Sequence, residues 1–95
     1  MKITLQAILG IKQAIGHRTL EIELPQDSTI GDFLCYLKER WGDKLYPHLF
    51  MPEDDSLNPL VRVMVNGQII QYLQGKNTRL KDGDEILILP PASGG

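Results

Sequence analysis

The sequence predicts a two-layer α+β domain, one main helix packed across one face of a mixed sheet of about five short strands. Three observations predict it. Apolar residues alternate at period two in several short runs. One window, residues 30–41, instead carries apolar residues at 3–4 residue spacing. Turn signals separate the runs, above all Asn66-Gly67 and Lys81-Asp82-Gly83-Asp84.

In order, Ile3, Leu5, Ala7 and Leu9 alternate with Lys2, Thr4 and Gln6, the pattern of a half-buried strand. Ile8 breaks it by placing an apolar group on the polar side. Residues 10–17 hold Gly10 and Gly16 and read as a connecting turn. Leu20, Ile22 and Leu24 form the return strand of a hairpin, which Pro25 ends because it has no N–H for a ladder. The helix follows over 29–41. Ser28 or Thr29 caps it, and Asp32 stands three residues after Thr29 as a carboxylate variant of a capping box. Ile30, Phe33, Leu34, Leu37 and Trp41 make its apolar stripe, and Gly42 is its stop. Residues 43–59, broken by Pro47, Pro52 and Pro59, read as a loop with room for a short helical turn around 44–50, with Tyr46, Leu49 and Phe50 tucked onto the domain. Residues 60–65 form a strand with Val61, Val63 and Val65 on one face. Asn66-Gly67 suits a two-residue hairpin turn that needs φ > 0 at both positions. Residues 68–72 are the return strand, Leu80 an isolated apolar anchor, and 85–89 the last strand.

The order β-β-α-β-β-β places the first and last strands side by side in mid-sheet, a β-grasp (ubiquitin-like) arrangement over 1–90 with a flexible Gly-Gly tail at 91–95. If Ile3, Leu5, Val61, Val63, Val65, Ile86 and Ile88 face the helix, then Ile8, Leu60, Met64, Leu87 and Leu89 face away. Two readings of that second set stand. It is a partner-binding patch, or the 43–59 loop covers it.

Composition bounds the function. A chain of 95 residues makes one domain, 42% hydrophobic and 23% charged. A net charge of −2 with scattered Lys and Arg argues against nucleic acid. One cysteine, Cys35, fits a reducing compartment, and no signal-peptide run or bilayer-length apolar stretch is present, so a cytoplasmic protein without membrane contact is expected. Glu53-Asp54-Asp55 lacks the spacing of a calcium loop, and His17 and His48 lack metal-ligand partners, so no metal is expected. Cys35 invites a sulfur-holding role, but a small packed residue is the favoured reading.

The tail Pro90-Pro91-Ala92-Ser93-Gly94-Gly95 then stands out. Two prolines favour extended backbone, and small residues can thread a channel closed to larger ones. What the tail carries is the α-carboxylate of Gly95, ionised at neutral pH. Acyl transfer needs a better leaving group, which adenylation by ATP supplies. The acyl-adenylate can take sulfur, giving a thiocarboxylate, or an amine, giving an amide. This chain has no phosphate-binding glycine loop with a lysine, so a separate enzyme must activate it.

The strings Val65-Asn66-Gly67, Leu80-Lys81-Asp82-Gly83-Asp84-Glu85-Ile86 and Leu89-Pro90-Pro91-Ala92-Ser93-Gly94-Gly95 resemble the MoaD/ThiS family of sulfur carriers, relatives of ubiquitin. The resemblance spans the chain in element order and is most specific over 60–95. It implies that Gly95 is adenylated by an E1-like enzyme of the MoeB/ThiF type and becomes a thiocarboxylate, with sulfur coming from a donor such as a cysteine desulfurase or rhodanese. It implies no bound cofactor, ATP being used by the activating enzyme, and no catalysis by the chain alone. The 43–59 insert and Pro90-Pro91 are most like molybdopterin synthase small subunits. In that case a large subunit of the MoaE type takes up Pro91, Ala92, Ser93, Gly94 and Gly95. Carriers for thiamin or cysteine synthesis, a ubiquitin-like modifier joined to lysines, and a plain binding domain with an incidental Gly-Gly are the alternatives.

Overall fold

The computed structural model describes residues 1–91. Strand β1 (Lys2–Ala7) leads into helix α1 (Leu9–Ile15), then β2 (Thr19–Glu23), helix α2 (Ile30–Trp41), a short helix α3 (Tyr46–Leu49), β3 (Arg62–Val65), β4 (Gln68–Ile69) and β5 (Glu85–Leu89). The sheet order is β2-β1-β5-β3-β4, with the first and last strands parallel at its centre and the other pairs antiparallel. This is the mixed β-grasp sheet that the element order predicts. The inward set is also as predicted: Ile3, Leu5, Val61, Val63, Val65, Ile86 and Ile88 are all buried, in one cluster with Phe33, Leu34 and Leu37 of α2.

The local signals of α2 act as expected. The Asp32 N–H donates to Thr29 Oγ1 at 3.2 Å, and the Thr29 N–H donates to Asp32 Oδ2 at 2.9 Å, so each satisfies an orphan donor of the first turn. Leu80, the isolated apolar anchor, is buried.

Three elements differ from the sequence expectation. Residues 9–15 form a helix rather than a turn, because Ile11 and Ile15, four apart, both reach the core. Gly16 at φ 82° then ends α1 as its left-handed cap. Strand β3 starts only at Arg62, since Pro59 and Leu60 belong to a turn in which Asn58 Oδ1 accepts from the Leu60 N–H at 2.8 Å. Strand β4 has two residues. The chain then tightens into a 3₁₀ turn over Ile70–Tyr72 that buries Ile70 and leaves Tyr72 exposed.

The 43–59 segment lies in the helix layer. Leu45, Leu49 and Phe50 join the core, and Lys38 of α2 stands 4.9 Å above the Phe50 ring. The outward sheet face is therefore not covered by this segment, which removes the covering-loop reading. The Tyr46 hydroxyl donates to the Asp55 carboxylate. That bond, with partial burial and the charges of Asp55, Asp54 and Glu53, pushes the phenol up to about 12. In a spectrophotometric titration, one of the three tyrosines should ionise about two pH units after an ordinary phenol. A titration with no phenol displaced above the ordinary range would contradict this contact.

Candidate functional site: the outward sheet face and the tail root

β5 sits between β1 and β3, so the strand that leads into the tail is paired on both sides up to Ile88 and by β3 alone at Leu89. Paired residues share a face. Leu87 pairs with Gln6 and Met64, Leu89 with Arg62, and Met64 with Ile69. Met64, Leu87, Leu89 and Ile69 are half-buried, and no described element packs over them. Ile8 follows β1 in extended backbone as the residue before α1, 37% exposed, and Leu60 lies in the turn before β3, 62% exposed. The five predicted patch residues are thus all at least partly open to solvent, although Ile8 and Leu60 lie outside the strands.

Sequence reasoning missed Arg62 and Ile69. Alternation across 60, 62 and 64 places Arg62 on this face, next to Leu89 in register. The two-residue Asn66-Gly67 loop fixes Met64 opposite Ile69. Both were legible from spacing. The Arg62 guanidinium donates through Nη1 to the Pro59 carbonyl at 2.9 Å, which holds it along the edge of the patch.

The two motif turns form one unit. Asn66, at φ 51°, donates from Nδ2 to Asp84 Oδ1 at 2.9 Å and accepts from the Glu85 N–H at 2.9 Å. Asp84 Oδ2 accepts from the Lys81 N–H at 2.8 Å, and Gly83 at φ 89° closes the turn. The Gly83 N–H then donates to the Lys2 carbonyl, and the Lys2 N–H to Asp82 Oδ1. These bonds set the register in which β5 enters the sheet, and hence the direction in which it leaves. Asn66→Ala, which loses two hydrogen bonds and strains a left-handed position, should cost about 2 kcal/mol in urea unfolding at unchanged m-value. Asn66→Gly, free of that strain, should cost less.

At the other end of β5, Pro90 and Pro91 line a cleft with Leu9, Gly10, Pro47 and His48, of about 320 Å³. Ala92, Ser93, Gly94 and Gly95, the predicted threading segment and reactive end, lie outside the described residues. Cys35 is exposed on α2, not packed. At about 100° per residue it lies roughly 140° around the helix from Ile30 at the centre of the stripe, so the helical wheel itself contradicts the packed reading. Among the described residues, no three His, Cys, Asp or Glu side chains are grouped to hold a metal ion, and no helix is long and apolar enough to cross a membrane.

A mixed sheet with parallel central strands and one main helix across its inner face defines a ubiquitin-like β-grasp protein. The chain belongs to the ThiS family, whose model matches residues 8–95. It is 32% identical over 95 residues to small archaeal modifier protein 3 of Haloferax volcanii, covering 100% of both chains. Its fold matches the crystal structure of SAMP1 from Haloferax volcanii with a TM-score of 0.85 and 25% identity, covering 100% of both. It also matches a Pyrococcus furiosus structure described as molybdopterin converting factor, subunit 1, with a TM-score of 0.75, 28% identity, and coverage of 96% of this chain and 98% of that one.

Proposed function

We propose that this protein is a sulfur carrier whose reactive group is the Gly95 carboxylate. The observation that carries the proposal is that the ThiS-family match extends through the diglycine to residue 95. The carboxylate oxygen attacks the α-phosphorus of ATP in the site of an E1-like enzyme, and pyrophosphate leaves. A hydrosulfide or an enzyme-borne persulfide from a desulfurase or rhodanese attacks the acyl carbon, and AMP leaves. A persulfide adduct needs a thiol to reduce its S–S bond before the thiocarboxylate is free. The chain contributes the acyl group and a docking surface (Ile8, Leu60, Met64, Leu87 and Leu89, with Ile69 and Arg62), and the partner supplies the catalysis. Delivery to a molybdopterin synthase large subunit is the favoured destination, supported by the likeness to the Pyrococcus furiosus protein.

A second reading has its own support. The full-length similarity to a small archaeal modifier favours conjugation, in which a lysine amine rather than sulfur attacks the adenylate. Both readings share the first step. The test is incubation with the activating enzyme, ATP and a sulfur donor, read by intact mass. The carrier reading predicts one O-to-S exchange. Unchanged mass together with lysine conjugates would contradict it and favour the modifier.

A further inference from the structure

Leu9 is held at φ 53°, a left-handed conformation that a leucine rarely adopts, and its side chain is nevertheless 69% exposed. Its neighbour Gly10 is equally constrained: a Cβ there would stand 2.8 Å from the His48 ring. The backbone thus takes an unfavourable conformation at Leu9, and a glycine lets α3 close against α1 at Gly10. The result is an apolar wall on the helix side of the tail root. This wall and Pro47, His48, Pro90 and Pro91 form the cleft already described, and no acidic or basic chain other than the His48 imidazole lines it.

Resting on the reading that Gly95 is adenylated, we infer that this cleft seats an apolar side chain on the channel rim of the activating enzyme, making it a second docking point beside the sheet face. The length of chain beyond Pro91 requires such a rim. Four residues reach only about 13–14 Å, so an active site holding Gly95 brings its entrance up to Pro90–Pro91. That entrance meets two surfaces. On one side is Leu89 with the outward patch, which runs directly into Pro90. On the other is the Leu9–His48 cleft. A lining of Leu9, Gly10 and three prolines around a single imidazole selects an apolar occupant. Strain concentrated at an exposed residue beside the reactive segment is explained if the side chain is presented for contact.

The test is ATP–pyrophosphate exchange by a MoeB/ThiF-type enzyme from the same organism, with radiolabelled pyrophosphate and the full chain as substrate. Leu9→Gly removes the side chain and suits the left-handed backbone, so its Tm should not fall. Leu9→Asn, which also tolerates that backbone, is the second variant should the glycine variant misfold. Both should raise KM for the carrier about tenfold while kcat stays within about twofold. Exchange with the wild type whose KM is unmoved in the Leu9 variants, or whose kcat alone falls, overturns the second docking point and leaves the carrier reading standing. No exchange with the wild type overturns the carrier reading and this inference with it.

Discussion

Removal of Gly95 should abolish thiocarboxylate formation and leave unfolding unchanged. Every residue of the described core lies from Ile3 to Ile88, so the expected readout for folding is an unchanged urea midpoint. The effect on chemistry is expected to be extreme. Truncation draws the reacting carbon back by one residue, about 3.5 Å, whereas a displacement of about 1 Å can already cost a hundredfold. Adenylation should therefore fall at least about a thousandfold. A truncated protein that still accepts sulfur at near wild-type rate would place the reactive group elsewhere in the chain.

The second large effect is expected on the outward face. Leu87→Arg and Met64→Arg place a charge on the proposed docking surface, where a docked partner would have to desolvate it. Leu87 and Met64 are direct register partners, half-buried, with no described element above them. An arginine here can lay its stem along the sheet and keep its head in water, so the fold survives with a Tm loss of a few degrees. Loss of a central apolar contact costs about 2 kcal/mol or more, so KM for the activating enzyme should rise by about thirtyfold or more. Glu21→Arg is the control. Glu21 is exposed and pairs with Thr4 on the same sheet face, but on the edge strand β2 and away from the tail root. Equal effects from all three substitutions would point to general charge repulsion rather than a docking patch.

The parts of this fold that were legible in the sequence share a physical reason. Alternation read out the inward face because Ile3, Leu5, Val63, Ile86 and Ile88 each sit in a two-residue repeat with a single buried side. Helix α2 was legible because Thr29, Asp32 and the stripe from Ile30 agree on one start and one face. Helix α1 was hidden because Gly10 and Gly16, the strongest turn signals nearby, serve other ends: one admits the His48 ring and the other caps the helix. The short β4 was hidden because Ile70 is apolar and fits a strand pattern, although it reaches the core from a 3₁₀ turn. At the candidate site, the patch residues on strands followed from period two, while the cleft at the tail root depends on a contact between residues 10 and 48 that no local pattern encodes.

The central claim is that sulfur is carried on the Gly95 carboxyl rather than on a side chain. Exposed Cys35 offers the competing atom. The most direct measurement is tandem mass spectrometry of the proteolysed product after reaction with the activating enzyme, ATP and a sulfur donor. The account predicts that the C-terminal peptide carries one sulfur in place of one oxygen at Gly95, with the Cys35 peptide unmodified. An unmodified C-terminal peptide, with an added sulfur on Cys35, would contradict it.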